Sequence, residues 1–239
     1  MSKYEKDSLG SRMKRYESVT QNYLTKRCLA IVRLDGRSFH SYTKKIKAEK
    51  PFDLNLMKQM DETAIHVCQD VSAVFGYVQS DEISLLISDI ENIDKQLIFD
   101  GNVQKIVSTT AARASVFFNH IAKENSPLAT FDSRVYNISD PIEVYNYFLW
   151  RTRDWERNSL QMLSRSFYSH KELHGKKRED MHEMLHAKEI NWAKLASEIK
   201  RGRLILKDEN NKWISQAMFE LPKEKDKLQA KIPVHGYGD

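Results

Sequence analysis

Residues 28–39, CLAIVRLDGRSF, and residues 75–88, FGYVQSDEISLLIS, decide the fold of this chain. The first stretch is a nearly continuous apolar run that ends at Asp35-Gly36, which predicts a central strand. The second is divided by a polar turn around Asp81, which predicts the tip of a hairpin. If the two stretches are neighbours in one sheet, Asp35 and Asp81 lie side by side.

Helical periodicity separates these strands from the next one. We predict a helix over residues 53–73, with Asp53 as its N-cap, and a second helix over residues 102–122. A further strand is predicted over residues 128–138, with an interruption at Asp132. The order strand, helix, strand, strand, helix, strand predicts an α+β fold of the ferredoxin-like βαββαβ type, with the first and third strands as central neighbours.

The rest of the chain is predicted to be mainly helical. We expect residues 1–140 to form the sheet domain with an N-terminal helix, and residues 141–239 to form a helical and hairpin extension packed on it. The outer elements are an amphipathic helix over residues 3–20 with Leu9, Met13, Tyr16 and Val19 or Thr20 on one side, a long helix over residues 142–167, short helices to residue 200 and a hairpin over residues 203–218.

Composition narrows the function classes only slightly. Of 239 residues, 41% are hydrophobic and 30% are charged, which is ordinary for a globular protein. No apolar stretch approaches the ~18 residues needed to cross a bilayer, and the N-terminus has no secretory signal, so we expect no membrane association. Two cysteines in apolar patterns predict a reduced cytoplasmic protein. The net charge of +5 permits a polyanionic partner without requiring one.

Asp35 and Asp81 are the candidate metal ligands. Each occurs in a turn that would be ordinary by itself, but their placement at one end of the sheet favours a divalent-cation site. Two-metal phosphoryl transfer uses shared carboxylates that hold ions ~4 Å apart, one activating the attacking hydroxyl and the other binding the leaving group.

Residues near the first carboxylate fit anion binding. Gly36 allows backbone amides to approach an anion closely, although a polar turn after a strand would also use glycine. Lys50 lies in a loop stiffened by Pro51 and can contact a phosphate. Asp53 can read a base edge, cap the following helix, or do both.

Arg151, Asp154 and Asn158 are spaced i, i+3 and i+7 on the long helix, so they share one face. That face is either a binding surface or a solvated surface with local ion pairs. Both interpretations stay open from the spacing alone.

The stretch His182-Glu183-Met184-Leu185-His186 matches the HExxH pattern of zinc proteases. Such an enzyme also needs a third ligand downstream, and only Glu189, Glu198 and a lone His235 follow, in no recognisable continuation. We therefore predict a charged surface helix here instead of a protease site.

Five ordered motifs together resemble the tRNA-histidine guanylyltransferase family over roughly residues 5–220. They are Asp35-Gly36-Arg37-x-Phe39-His40, Lys50-Pro51-x-Asp53, Gln79-Ser80-Asp81-Glu82, Phe131-Asp132-x-Arg134 and Trp150-Arg151-x-x-Asp154. The resemblance implies a polymerase-type or cyclase-type palm and a Mg²⁺-dependent nucleotidyltransferase that adds nucleotides to the 5′ end of tRNA in the 3′-to-5′ direction.

The same resemblance implies roles for individual residues. Asp35 and Asp81 would be catalytic and bind two Mg²⁺ ions, with the Gly36 carbonyl assisting and Glu82 as a supporting catalytic residue. Nucleotide phosphates would be held by Arg37, Ser38, Phe39, His40 and Ser80, partly through backbone amides, with Lys50 on the triphosphate and Asp53 on the guanine edge. The tRNA end would be contacted by Arg134, Trp150, Arg151 and Asn158.

Residues 156–162 differ from the His-Ile-Asn-Asn-Leu-Tyr-Asn stretch of eukaryotic members, since only Asn158 and Leu160 match. The chain therefore resembles the guanylyltransferase-like branch, which implies templated repair of 5′-truncated tRNA with GTP or another NTP, ATP as a possible activator of the 5′ end, and a homotetramer. Two alternatives remain at this stage: a nucleotide cyclase, which shares the palm and the paired aspartates, and a non-catalytic RNA-binding protein.

Overall fold

The computed structural model describes residues 8–91 and 94–234, so residues 3–7 of the predicted N-terminal helix and His235 lie outside it. Among the described residues, no helix has the length and apolar character needed to span a membrane. The strands are β1 (Ala30–Gly36), β2 (Phe75–Gln79), β3 (Glu82–Ile87), β4 (Phe131–Asn137), β5 (Arg203–Lys207) and β6 (Trp213–Ala217). The helices are α1 (Leu9–Ser18), α2 (Phe39–Lys45), α3 (Leu54–Asp70), α4 (Val103–His120), α5 (Pro141–Arg165), α6 (His170–Leu173), α7 (Arg178–His186), α8 (Ser197–Arg201) and α9 (Lys225–Gln229).

One antiparallel sheet has the strand order β4-β1-β3-β2-β5-β6. Its first four strands, with α3 and α4 as crossovers, confirm the ferredoxin-like βαββαβ arrangement. The hairpin β5–β6 does more than pack on this unit, because β5 pairs with β2 and extends the sheet to six strands. Strands from both sides of residue 140 thus belong to one sheet. The division of the chain into two domains at that residue remains a prediction.

The predicted interruption of the fourth strand is wrong. β4 runs continuously through Asp132, which pairs with Asp35 of β1. Buried and more exposed residues alternate along β4, which is an edge strand and can place polar side chains toward water. The polar pair at residues 132–133 therefore marks a half-solvated edge and does not break the strand.

Each face of the sheet carries its own apolar core. Because successive side chains of a strand point to opposite faces, Val32 and Leu34 of β1 pack toward α3 and α4, while Ile31 packs toward α5. Asp53 and Asn102 are the N-caps of α3 and α4, and their side chains accept the amides of Leu56 and Lys105. The candidate carboxylates therefore lie at the end of a sheet that is clamped on both faces.

A third cluster joins the extension to the loop before α3. Leu160 and Leu163 of α5 pack with Met181 of α7 and Trp192, and Phe52 packs against this group. The loop that carries Lys50 is thereby packed against the C-terminal half of α5 through Phe52.

Helix α1 differs from the amphipathic prediction in one respect. The predicted apolar row is present, but Leu9, Met13, Tyr16 and Val19 are 46–80% exposed, and α1 has no buried residue. Periodicity predicts an apolar face and cannot tell what covers it. Within the residues that the structure describes, nothing buries this face of α1.

Candidate active site

Strands β1 and β3 bring the two predicted carboxylates to one end of the sheet. Asp35 pairs with Glu82 across the two strands, and the amide of Gly36 donates a hydrogen bond of 3.1 Å to the carbonyl oxygen of Asp81. Ser80 and Asp81 form the two-residue turn between β2 and β3, with Ser80 at a positive φ of 47°. The predicted convergence of residues 46 positions apart in sequence is confirmed.

The environment of Asp81 suits a bound cation. Burial raises the pKa of the Asp81 carboxyl to about 6, and the negative charges of Asp35 and Glu82 add to the shift, against hydrogen bonds from its own amide and from Ser80. The Asp35 carboxylate is 36% exposed, and its nearest described cation is a guanidinium nitrogen of Arg33, 3.6 Å away. Like charge and burial together disfavour an ionised Asp81, and a divalent ion would reverse both effects.

No set of three His, Cys, Asp or Glu side chains converges as a metal site anywhere in residues 8–91 and 94–234. Two carboxylates are nevertheless enough for Mg²⁺, which characteristically takes one or two of them and completes its octahedron with water and substrate phosphates. The pair Asp35 and Asp81, with a carbonyl oxygen nearby at Gly36, therefore fits magnesium and does not fit a structural zinc ion.

Glu82 is placed differently from the prediction of a catalytic carboxylate. Its side chain is buried, and Arg151 contacts both of its oxygens, Nε to Oε1 and Nη2 to Oε2, at 2.7 Å each. Arg33 adds a contact of 2.5 Å to Oε2. Glu82 is thus neutralised by two guanidinium groups and anchors α5 to the sheet, so we assign it a positioning role.

The resemblance implies that Arg151 contacts the tRNA end, but its side chain is 7% exposed and faces Glu82. It also contacts Asp154 Oδ2 at 3.2 Å, and Asn158 Nδ2 donates to the same oxygen at 3.3 Å. The shared face of these three residues is confirmed, and it points into the protein. The expected direct contact of Arg151 with RNA is therefore replaced by a structural contact.

Arg134 and Trp150 remain accessible, as a role in RNA binding requires. Arg134 on β4 is 60% exposed and lies 3.6 Å from Asp132. Trp150 on α5 is 53% exposed, and the guanidinium of Arg151 lies 4.5 Å from its ring centroid. Both side chains lie on the face of the sheet that α5 covers.

The turn after β1 is fixed by close packing. A Cβ atom at Gly36 would lie 2.3 Å from the Phe39 ring, so only glycine fits. Phe39 is buried against Tyr42, Phe118 and Phe131 and so serves the core, which leaves its backbone alone for any contact with a nucleotide. The side chains of Arg37 and His40 are exposed, although the Arg37 amide already donates to the carbonyl of Thr130.

Asp53 is confirmed as the N-cap of α3. Its two oxygens accept the amides of Leu56 at 2.9 Å and Glu49 at 3.0 Å. Burial alone would raise the pKa of Asp53, but these backbone hydrogen bonds outweigh it and lower the pKa. Lys50, four residues from the start of α3, is exposed.

The HExxH stretch forms the C-terminal part of α7, as predicted for a helix. His182 packs edge-on against Trp192 with ring centroids 5.7 Å apart, and burial together with Arg178 and His186 lowers its pKa. No metal-binding group includes it among the described residues. A histidine that packs on Trp192 as part of a structural helix accounts for the motif.

Arg33 and Tyr147 were missed by the sequence analysis. Arg33 pairs with Glu82, and the Tyr147 hydroxyl lies 2.7 Å from Ser84 Oγ, next to the same carboxylate. A signal existed for Arg33, since it is the one charged residue inside the apolar run that forms β1. Nothing in the local sequence marks Tyr147, whose pattern is that of an ordinary helix core residue.

Comparison with known proteins decides the family. A family profile described as tRNAHis guanylyltransferase matches residues 10–139, more than half of the chain. The chain belongs to the tRNAHis guanylyltransferase family. It is accordingly a nucleotidyltransferase that acts on tRNA, with the palm-type α+β fold described above.

Similar structures cover nearly the whole chain. A bacterial tRNA(His) guanylyltransferase-like protein in complex with ATP is 37% identical, with a TM-score of 0.89 over 95% of this chain and 99% of that one. A complex of such a bacterial protein with GTP is 34% identical, with a TM-score of 0.79 over 95% and 100% of the two chains. The probable tRNA(His) guanylyltransferase of Dictyostelium discoideum is 28% identical over 74% of each chain. Membership in this family argues against the cyclase and the non-catalytic alternatives.

Proposed function

We propose that this member of the family uses Mg²⁺ at Asp35 and Asp81 to add nucleotides to the 5′ end of tRNA in the 3′-to-5′ direction. The observation that carries the proposal is the meeting of the two carboxylates at one sheet end, where burial and like charge raise the pKa of Asp81 to about 6. Bound there, a pair of ions would polarise the attacking hydroxyl and stabilise the leaving group.

The residues around this pair would position the reacting ends. The 3′-hydroxyl oxygen of the incoming nucleotide attacks the 5′ phosphorus of the tRNA, and the bond from that phosphorus to pyrophosphate or AMP breaks. The exposed side chains of Arg37, His40 and Lys50 are available to phosphates. Ser38, Phe39 and Ser80 would contribute through backbone groups, and Asp53 would meet the guanine edge without giving up its role as a helix cap.

Two features support templated repair with NTP substrates. The similar bacterial structures contain ATP and GTP, which supports triphosphates as substrates and ATP as the activator of a 5′ monophosphate. Their match extends over 95% of this chain, whose residue 156–162 stretch departs from the eukaryotic pattern. Repair of 5′-truncated tRNA is the activity that we propose for this branch.

An oligomer is proposed from helix α1. An isolated ten-residue helix is marginal in water, yet α1 shows Leu9, Met13 and Tyr16 to solvent and buries none of its residues. A second copy of the chain that covers this row, as in a homotetramer, would stabilise it. Light scattering should show the assembly for wild type and its loss for Tyr16→Glu.

We also propose a cytoplasmic location, because Cys28 and Cys68 are both buried free thiols.

The test is nucleotide addition to a 5′-truncated tRNA with Mg²⁺ and labelled GTP. Wild type should extend the 5′ end, and Asp81→Asn should lose the activity by at least about 100-fold, since an ion ligand is removed. Asp226→Asn is the matched control, because Asp226 is an exposed carboxylate on α9, outside the sheet end. Unchanged addition by Asp81→Asn would contradict the proposal, and a cyclic nucleotide made without RNA would favour the cyclase.

A further inference from the structure

An open groove separates the end of β4 from the first turns of α5. It has a volume of about 480 Å³, and its walls are the β4–α5 connection, residues 137–140, and the helix residues Glu143, Asn146, Tyr147 and Trp150. Trp150 lies at the end of the groove nearest Arg151 and is 53% exposed. The Tyr147 ring makes an edge-on contact with it, with ring centroids 5.9 Å apart. The groove therefore has an aromatic wall in which Tyr147 is buried and Trp150 is exposed.

The groove adjoins the candidate active site at one end only. Trp150 precedes Arg151, which bonds Glu82, and Glu82 follows Asp81 and pairs with Asp35. The opposite end lies at Asn137, which pairs with Ala30, five strand positions from Asp35. At about 3.3 Å per strand residue this is a path of roughly 17 Å, enough for a few bases stacked about 3.4 Å apart.

The lining chemistry excludes phosphate and favours amino groups. None of the eight lining residues is Lys or Arg, and two are acidic, Asp140 and Glu143. Asn146 donates a hydrogen bond of 2.8 Å to Glu143 Oε1, which fixes the amide and leaves its carbonyl oxygen as an acceptor. Carboxylates and amide oxygens accept from the exocyclic amines of cytosine and adenine, and aromatic rings stack on any base.

Cations lie beyond the Trp150 end of the groove on α5 and on the neighbouring edge strand β4. Asn146, Trp150, Arg153 and Arg157 step by four, three and four along α5, so they share one solvent-facing row that turns from polar to basic toward the active site. Arg134 of edge strand β4 is 60% exposed on the same face of the sheet. A polynucleotide with its bases in the groove would thus meet guanidinium groups where its backbone leaves the groove at the Trp150 end.

We infer that this groove, which we call the β4–α5 groove, binds the single-stranded 3′ nucleotides of the tRNA whose 5′ end lies at Asp35 and Asp81. The inference rests on the proposed function, because a tRNA brings an unpaired 3′ strand next to its 5′ end. Trp150 stacks on a base of this strand, and Glu143 and Asn146 accept hydrogen bonds from cytosine or adenine amino groups. The 3′ strand is held away from the carboxylates of Asp35 and Asp81, so that these remain accessible to the 5′ end of the tRNA.

The test compares the binding of two tRNAs by Trp150→Ala and wild type. One tRNA is intact, and the other lacks its unpaired 3′ nucleotides and ends level with the 5′ nucleotide. With intact tRNA we expect the Kd of Trp150→Ala to be about 5- to 100-fold higher than that of wild type, the worth of one stacked base. With trimmed tRNA the two proteins should bind equally. Phe167→Ala is the matched control, an aromatic 44% exposed beyond the end of α5, and it should bind both tRNAs like wild type.

Fluorescence gives a direct readout of the groove. Trp150 is 53% exposed, while Trp155, Trp192 and Trp213 are each at most 9% exposed. Quenching by acrylamide therefore reports mainly on Trp150, and intact tRNA should protect it more than trimmed tRNA does. A 3′ strand of uridines, whose O4 accepts and does not donate, should bind wild type more weakly than one of cytidines, and Glu143→Ala should reduce that difference, with the remainder due to Asn146.

Several outcomes would overturn the inference. An equal loss of affinity by Trp150→Ala for both tRNAs would place Trp150 on the stem, and no loss for either would remove RNA from the groove. A loss that accompanies a change in oligomeric state by light scattering would make the groove an interface between copies. Nucleotide addition by wild type, measured in parallel, separates these results from failure of the proposed function, which would abolish addition itself.

Discussion

Replacing Arg151 by methionine should destabilise the fold strongly, because it strands a buried carboxylate. Arg151 and Glu82 are each 7% exposed and share two contacts of 2.7 Å. Removing one partner of a buried ion pair typically costs about 3–5 kcal/mol. Arg33 still contacts Glu82 Oε2 in the variant, while Oε1 keeps only long contacts from Gln79 and Ser84 at 3.3 and 3.4 Å. We therefore expect the lower part of that range, about 3 kcal/mol.

Urea unfolding followed by circular dichroism measures the change in free energy. Arg157→Met is the matched control, since Arg157 is 63% exposed in its ion pair with Asp154 and such surface pairs contribute about 0–1 kcal/mol. The double variant Glu82→Gln, Arg151→Met should recover much of the loss, because it removes the buried charge as well as its partner. A cost for Arg151→Met within 0.5 kcal/mol of that for Arg157→Met, on the ~1 kcal/mol scale of surface pairs, would refute the positioning role of this pair.

Three further predictions concern the turn residues. Asp81→Asn should stabilise the metal-free protein at pH 7. Folding raises the pKa of the Asp81 carboxyl from 3.8 to about 6, so the folded state binds this proton more tightly than the unfolded state does. The folded state therefore loses stability as the pH rises through 4 to 6 and the carboxyl ionises. Two pKa units bound the gain at about 3 kcal/mol, it should vanish near pH 4 in thermal melts, and a lower melting temperature for the variant at pH 7 would contradict it. Gly36→Ala should cost about 1–3 kcal/mol in urea unfolding, since its Cβ would overlap the Phe39 ring. Gly10→Ala should not destabilise, because no atom lies nearer than 4.0 Å and alanine is favoured over glycine in helix α1. A Gly36→Ala variant as stable as wild type would show that the turn can relax. Asp53→Ala should lose about 1 kcal/mol with the N-cap. Asp53→Asn keeps one oxygen for the Leu56 amide but none for the Glu49 amide, so it should lose less stability than Asp53→Ala and lower the preference for GTP over ATP in nucleotide addition. An unchanged preference would limit Asp53 to capping.

The sequence was sufficient for the parts of the fold that depend on local pattern. The run before Asp35 and the turn at Asp81 are short-range signals, and their convergence follows from the strand order of a βαββαβ unit. Long-range pairing was not predictable in the same way. Nothing in residues 203–207 specifies that β5 pairs with β2 and not with its own hairpin alone.

Burial of charge was the second limit. Glu82 and Arg151 are 69 positions apart, and each has a plausible functional role when considered alone. Only the packing of α5 across the sheet shows that they neutralise each other. The same holds for Phe39, for which the family resemblance implies a nucleotide contact, whereas its ring fills the core. Helix α1 shows the converse, since an apolar row predicted as a packed face is exposed on the described chain.

Anomalous diffraction from crystals grown with Mn²⁺ and a GTP analogue tests the central claim most directly. With the nucleotide bound, we expect anomalous peaks between the carboxylates of Asp35 and Asp81 in the wild-type protein and their loss in Asp81→Asn. A bound nucleotide with no peak between these two side chains would contradict the account.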